Sequence, residues 1–275
     1  MPTANPDGLT LYYEQEGDGA PVLLVPPSWW PCDTWKVSAV PALRDRYRTI
    51  VFDCRGTGRS GRPEEGYSVE QFAHDALGLL ACLAISRCHV VGFALGGQIA
   101  QAMAIQAPET VATLTMAATG PGNRSLSGEA RAQNRDAEAI EESGFETFIR
   151  SHIDNDRSAF SAEFYRTRHD VVAALADALW AEQAGPKYFQ YHHNARRTWD
   201  TLAQAAHVRV PTLILVGSDD HASRGGSTPL ATGQRLAELT PGAELALLPG
   251  VKHMTFWDGN AGIAKLRDFL ARHPL

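Results

Sequence analysis

The segment Gly92-Phe93-Ala94-Leu95-Gly96-Gly97 has the spacing of a turn that presents a reactive side chain. It follows a short apolar run that predicts a buried strand over 88–93 and precedes a predicted helix over 97–107. Small residues two positions before and after the apex are needed where a strand turns sharply into a helix, because the backbone there is crowded. A serine at the apex would be a nucleophile, but this chain carries Ala94, which cannot attack a carbonyl.

A general base and a carboxylate follow in the order that nucleophilic catalysis uses. His253 lies just after a predicted strand over 244–248, and Asp219 and Asp220 lie directly after a predicted strand over 211–217. A carboxylate bonded to the imidazole would fix its tautomer and stabilise the imidazolium. Turn formation is the alternative role for either aspartate, and their spacing does not decide which one is the acid.

The elements that must position these residues alternate along the chain. Short apolar runs predict strands over 9–16, 21–25, 48–53, 88–93, 111–117, 211–217 and 244–248, and the spacing predicts helices over 69–84, 97–107 and 260–272. Ser68 is a plausible N-cap for the first of these helices. Such alternation predicts an α/β fold with a mostly parallel, doubly wound sheet.

Residues 120–205 break this alternation. The stretch is polar, helical in rhythm and rich in aromatic residues, so it predicts a helical cap inserted into a core made of 1–119 and 206–275. Aromatic residues at helical spacing usually pack against one another, and packing is the favoured role for each of them.

These features together resemble the α/β-hydrolase family. Besides the turn around Ala94, the stretch Asp53-Cys54-Arg55-Gly56-Thr57-Gly58-Arg59-Ser60 is similar to the D-x-R-G-x-G-x-S turn of that family. The resemblance covers nearly the whole chain outside the insertion. It implies a catalytic triad of Ala94 (the nucleophile position), Asp220 and His253, and it favours Asp220 over Asp219 as the acid.

An oxyanion hole in such a site uses two backbone N–H groups. Leu95 follows the nucleophile position and would supply one. The family commonly has His-Gly-X after the first buried strand, where this chain has Pro26-Pro27-Ser28. Proline has no N–H, so the second donor is expected at Ser28, with Trp29 as the next choice.

Several bulky residues near these positions are candidates for a substrate pocket. They are Trp29, Trp30, Phe93, Tyr188 and Met254. Trp35 is placed equally well in the pocket wall or in packing against the insertion.

The resemblance implies a small-molecule ester or lactone as the substrate. The enol-lactonase, aminoacrylate-hydrolase and zearalenone-lactonase branches are the most similar, although Thr119-Gly120-Pro121-Gly122 offers no carboxylate where the last of these carries its acid. We favour a Ser→Ala substitution that disarms an active hydrolase, because the other catalytic residues are retained. The alternatives are a C–C bond hydrolase or lyase on the same fold, and a ligand-binding pseudoenzyme or receptor that does not cut.

Composition excludes other classes of function. The 275 residues carry a net charge of −6, which argues against nucleic-acid and anionic-membrane binding. No apolar run spans a bilayer and the N-terminus lacks a signal peptide, while four cysteines without zinc-ligand spacing indicate reduced thiols in the cytoplasm. Neither a metal nor a cofactor is expected, since the adjacent His192 and His193 would point in different directions on a helix. A homodimer is left open.

Overall fold

A computed structural model describes residues 2–122, 136–154, 159–221 and 228–275. Within these residues, eight strands form one sheet in the order β1-β2-β4-β3-β5-β6-β7-β8. Only the β1–β2 and β2–β4 pairs are antiparallel, so the prediction of a mostly parallel sheet is confirmed. The strands are β1 (Thr3–Ala4), β2 (Leu11–Glu16), β3 (Ala20–Val25), β4 (Tyr47–Phe52), β5 (Cys88–Phe93), β6 (Val111–Ala117), β7 (Thr212–Gly217) and β8 (Glu244–Leu248).

Helices cover both faces of the sheet, which is why its central strands are apolar on both sides. In β3, Val22 and Leu24 belong to one buried cluster, whereas Leu23 and Val25 belong to the other. The main helices of the sheet layers are α1 (Asp33–Lys36), α2 (Ala39–Leu43), α3 (Val69–Cys82) and α4 (Leu95–Gln106), followed near the C-terminus by α11 (Pro229–Leu239) and α12 (Ala261–Ala271). Ser68 caps α3 as predicted, since its side chain accepts a 3.1 Å hydrogen bond from the Gln71 N–H.

Helices also fill the connection between β6 and β7. They are α5 (residues 136–143), α6 (Phe145–Ser151), α7 (Ala162–Thr167), α8 (His169–Ala181), α9 (Pro186–Ala195) and α10 (Thr201–Gln204). Short 3-10 turns occur at Pro6–Gly8, Arg196–Thr198 and Ala205–His207. The predicted cap over 120–205 includes 123–135 and 155–158, which lie outside the described residues, so its boundaries stay a prediction.

The strand β1 and the helices α1, α2 and α11 were not predicted from the sequence. The strand β1 has only two residues, which is too short for a periodicity to register. The helix α11 carries a readable start signal, because the Thr228 side chain accepts a 3.1 Å hydrogen bond from the Ala231 N–H and Pro229 occupies the first turn. Gly233 in its interior, set close against Val216, weakens the helical pattern.

The turn after β4 anchors the loop that follows β3. The fully buried carboxylate of Asp53 accepts hydrogen bonds from the Cys32 N–H at 2.7 Å and from the Arg59 N–H at 2.8 Å. Ser60 donates to the Asp53 carbonyl at 2.6 Å and accepts from the Tyr12 N–H at 2.9 Å. The polar residues of this turn therefore connect the end of β4 to the start of β2 and to the loop after β3.

All four cysteines, Cys32, Cys54, Cys82 and Cys88, carry free thiols. In the part of the chain that the structure describes, no helix has both the length and the apolar character that crossing a bilayer requires.

Arg55 and Asp75 form a buried ion pair whose disruption should be costly. The two hydrogen bonds are 2.5 and 2.6 Å long, and the side chains are 9% and 6% exposed. Arg55→Met leaves an uncompensated buried carboxylate, so we expect the free energy of unfolding to fall by about 3–5 kcal/mol in urea titrations. The matched change Arg44→Met breaks an exposed pair with Glu16 and should cost less than about 1 kcal/mol. Equal losses in the two variants would contradict this prediction.

Candidate active site

The turn between β5 and α4 holds Ala94 in a conformation that L-residues rarely adopt. Its backbone angles are φ 52° and ψ −114°. The Ala94 N–H donates to the Ala117 carbonyl at 2.9 Å, and its own carbonyl accepts from the Gly97 N–H at 3.1 Å. These bonds tie the turn to the neighbouring strand β6 and to the first turn of α4. The residue at position 94 is thereby lifted out of the strand at the carboxyl edge of the sheet.

Glycine is required on both sides of this turn. A Cβ atom on Gly92 would overlap the carbonyl oxygen of Gly96, and a Cβ atom on Gly96 would overlap the carbonyl oxygen of Val25. The second overlap shows how closely the start of α4 approaches the end of β3. The loop after β3 is therefore brought next to the N–H groups that follow Ala94.

His253 and Asp220 meet at the same edge of the sheet. His253 Nδ1 lies 2.7 Å from Asp220 Oδ2, and the side chains are 16% and 1% exposed. An ionised carboxylate can only accept, so Nδ1 carries the proton and Nε2 is the nitrogen that can take one from a reacting group. Asp219 is exposed and its carboxylate accepts from the Ser218 hydroxyl at 2.8 Å. The structure thus pairs Asp220, and not Asp219, with His253.

Backbone hydrogen bonds hold the loops that carry these two residues. The Ser218 N–H donates to the Leu248 carbonyl at 2.9 Å, and the Asp219 N–H donates to the Val251 carbonyl at 3.0 Å. These bonds join the loop after β7 to the end of β8 and to the loop that follows it. The separation of the acid from the imidazole is consequently set by main-chain contacts.

A small cavity of about 50 Å³ brings the predicted catalytic positions together. Its wall consists of Ala94, Leu95, Gln98, Ala118, Gly120, Gly122, Arg196, Pro229 and His253. Sequence reasoning did not identify Gln98 or Arg196. Gln98 lies one turn into α4 and donates to the Thr201 hydroxyl at 2.9 Å. The imidazole of His253, the N-terminus of α4 and the cationic side chain of Arg196 therefore line one cavity.

Ser28 and Trp29 are the two candidates for the second oxyanion donor, and the structure separates them. Ser28 is buried, and its N–H stays the predicted second donor beside that of Leu95. Trp29 has a φ of 54°, and its N–H donates to Nδ1 of His192 at 3.0 Å. That bond removes Trp29 as the alternative donor, because its only backbone hydrogen is already used.

His192 joins helix α9 to two loops of the core. Its Nε2 lies 2.8 Å from the Arg55 carbonyl oxygen and 3.0 Å from the Thr57 hydroxyl. Since Nδ1 accepts from Trp29, the proton sits on Nε2 and the ring is neutral. Burial lowers the pKa of His192 to about 4, and the nearby Arg55 charge acts in the same direction.

The neighbouring His193 is turned away from His192, as the helical geometry predicts. Its Nδ1 lies 2.9 Å from Nη2 of Arg196, so the two histidines have separate partners. Among the described residues, no group of three His, Cys, Asp or Glu side chains is arranged to hold a metal ion.

Three of the predicted pocket residues, Trp29, Trp30 and Phe93, pack near the residues that line the cavity. Phe93 packs against His253 with ring centroids 5.1 Å apart, and Trp30 packs against Phe93 at 6.1 Å. Trp29 contacts Phe189 at 5.1 Å. These rings stabilise the imidazole and the loop after β3, and contact of Trp29, Trp30 or Phe93 with a substrate stays a prediction.

The other aromatic and apolar candidates have structural partners of their own. Met254 is buried and its N–H donates to the Ala159 carbonyl at 3.1 Å, while the Tyr188 hydroxyl donates to the Arg62 carbonyl at 3.3 Å. Neither belongs to the cavity wall, so their contact with substrate also stays a prediction. Trp35 is fully buried and stacks at 4.9 Å on Trp257, which follows β8 and does not belong to the insertion.

Two buried histidines should make the fold sensitive to acid. Burial lowers the pKa of His192, and also that of His89, to about 4 from an ordinary value of 6.5. As pH falls from 6.5 towards 4, these two imidazoles therefore bind protons in the unfolded chain but not in the folded chain. We expect the free energy of unfolding to fall over this window by about 1.4 kcal/mol per pH unit for each histidine.

Urea titrations at pH 7, 6 and 5 would measure this slope. Replacing His89 by Gln removes one titrating group and should reduce the slope by about half, whatever the change in stability at pH 7. A stability that stays constant between pH 7 and pH 5 would show that neither imidazole is held neutral.

Comparison with known proteins supports the fold described above. The family model described as alpha/beta hydrolase fold matches residues 27–260. Curated relatives include a putative non-heme chloroperoxidase of Synechocystis sp., 26% identical over 90% of this chain and 90% of the relative. A putative carbamate hydrolase RutD of Variovorax paradoxus is 28% identical over 96% of this chain and 97% of the relative.

Solved structures support the same assignment of the fold. The enol-lactonase of Burkholderia xenovorans LB400 superposes with a TM-score of 0.83 at 24% identity, covering 98% of this chain and 100% of that one. Est816, described as an N-acyl homoserine lactone degrading enzyme, gives a TM-score of 0.76 at 24% identity with the same coverage. The sheet order, the strained turn at Ala94 and the matched family model lead to one conclusion: the chain belongs to the alpha/beta hydrolase fold family.

Proposed function

We propose that this protein is a serine-type hydrolase of carboxylic esters or lactones in which Ala94 stands at the position of the nucleophilic serine. The observation that carries the proposal is the 2.7 Å bond between His253 and Asp220 on the cavity that Ala94 lines. The strained turn at Ala94 adds to it, because such strain persists only where surrounding structure enforces it.

With serine at position 94, each group has a defined role. The serine oxygen would attack the carbonyl carbon while His253 Nε2 takes its proton and passes it to the leaving alcohol. Asp220 would hold the tautomer and stabilise the imidazolium. The N–H groups of Leu95 and Ser28 would bind the oxyanion, and water would then release the acyl group.

The substrate class follows from the chemistry of this arrangement. A histidine-activated serine facing an oxyanion hole cleaves an acyl bond, and the putative carbamate hydrolases among the relatives are likewise named for a substrate with a carbonyl carbon. An ester or lactone is the simplest substrate of this kind. Residues 120–205 would cover it as a cap, since Gly120, Gly122 and Arg196 of that segment line the cavity.

The free thiols favour a reducing compartment. Three of the four cysteines are buried and all four are unpaired, which is the usual state in the cytoplasm. We therefore propose a cytoplasmic enzyme.

Restoring the nucleophile is the direct test. Removal of a triad serine costs about 10⁶-fold in kcat, so Ala94→Ser should raise the turnover of short aryl esters or small lactones by a factor of that order. Hydrolysis is followed by release of the aryl alcohol or by loss of the lactone. Adding His253→Ala to the serine variant should abolish the gain. A folded serine variant that is inert across the panel, beside an Ala94 protein that binds a ligand tightly, would favour a receptor.

The two neighbouring aspartates provide a matched pair of variants. In the serine variant, Asp220→Asn should lower kcat by about 10⁴-fold, because the imidazole loses the carboxylate that orients it. Asp219→Asn changes an exposed carboxylate bonded to Ser218 and should leave kcat within a few-fold. Equal losses would contradict the assignment of Asp220 as the acid.

A further inference from the structure

Among the described residues that line the cavity, none carries a nucleophilic hydroxyl or thiol beside His253. In a serine hydrolase the Nε2 atom of the histidine takes its proton from the serine hydroxyl. Here the corresponding side chain is the methyl group of Ala94, so a substrate placed in the cavity would meet His253 directly. We propose that the chain with Ala94 abstracts a proton from carbon next to a carbonyl group, with weakly polar 1,3-dicarbonyl compounds as the substrate class.

The base is held ready for this step. Asp220 is 1% exposed and bonds to Nδ1 of His253 at 2.7 Å, so the imidazole is oriented and its protonated form is stabilised. Phe93 packs against the ring and limits its rotation. An oriented base with a counter-charge for the proton it takes favours general-base catalysis.

The product of proton abstraction is an enolate, and the same cavity suits its charge. Leu95 begins a 12-residue helix whose N-cap residue, Ala94, makes no side-chain hydrogen bond to the first turn. N–H groups at a helix N-terminus stabilise developing negative charge. Arg196 adds positive charge to the cavity wall. The groups proposed to bind an oxyanion would therefore bind an enolate oxygen.

The step balances without another reactant. The C–H bond next to the carbonyl breaks, its proton moves to Nε2 of His253, and its electron pair forms the enolate whose oxygen faces the Leu95 N–H. The imidazolium exchanges its proton with solvent and returns one to the same carbon. In D₂O the net reaction replaces that hydrogen by deuterium, and no bond to oxygen or carbon is cleaved.

The substrate class follows from the strength of the base and the character of the cavity wall. An imidazole is a moderate base, and carbon activated by two carbonyl groups gives up its proton most readily to such a base. The wall includes the apolar side chains of Ala94, Leu95, Ala118 and Pro229. Weakly polar 1,3-dicarbonyl compounds meet both requirements.

Deuterium exchange measured by ¹H NMR tests the proposal on the chain as it is. Ethyl 2-methylacetoacetate has one hydrogen between its two carbonyl groups, and the loss of its signal in D₂O gives the exchange rate. We expect the protein to exceed buffer by about 10²-fold or more, within the range of general-base catalysis. His253→Ala should return the rate to that of buffer, whereas His207→Ala, an exposed histidine in a 3-10 turn, should leave it unchanged.

A second variant distinguishes loss of proton abstraction from loss of folding. Asp220→Asn keeps the size of the side chain and should lower the exchange rate at least tenfold, with the circular dichroism spectrum unchanged. Exchange by the Ala94 protein that matches buffer, or that survives His253→Ala, would overturn the inference.

The inference rests on the His253–Asp220 pair of the proposed function but does not need a serine at position 94. Experiments can therefore contradict the proposed hydrolysis and the proposed proton abstraction separately. A serine variant that hydrolyses esters beside an Ala94 protein without exchange activity overturns only the inference. Exchange by the Ala94 protein beside an inert serine variant supports the inference and overturns the proposed hydrolysis.

Discussion

The site depends on a close approach between two backbone segments, the end of β3 and the start of α4. Gly96 permits it, because any side chain there would overlap the Val25 carbonyl. The approach places the loop after β3 against the N–H groups that follow Ala94, whose own backbone angles are strained. Such backbone strain costs on the order of 1–3 kcal/mol, and hydrogen bonds to β6 and within α4 hold it in place.

Asp220 and His253 lie on the loops that follow two other strands, β7 and β8. The loops after β7 and β8 are joined through main-chain bonds from Ser218 and Asp219, so Asp220 and His253 are brought together before any substrate arrives. Groups fixed in this way need little reorganisation during a reaction. The contact between Asp220 and His253 does not involve the side chain at position 94, which explains how it can be intact beside an alanine.

The parts of the fold that were predictable from sequence are those encoded locally. Apolar runs gave the main strands, and Ser68 marked the start of α3. The pairing of His253 with Asp220 rather than Asp219 needed either the family resemblance or the coordinates, because adjacent carboxylates have the same local pattern. Contacts made between distant segments were missed: the bond from Trp29 to His192 spans 163 positions, and no local pattern reports it.

That bond has a consequence for how this protein could be recombined with its relatives. Residues 120–205, which are predicted to form a cap, are an attractive unit to exchange because they are one continuous segment of the chain. Here α9 contributes the imidazole that occupies the Trp29 N–H and bonds to the Arg55 carbonyl. A chimera lacking a histidine at position 192 would bury both groups without partners, at a cost of about 1–3 kcal/mol each. Grafted caps for this core therefore have to carry a neutral donor–acceptor side chain at that point of the helix.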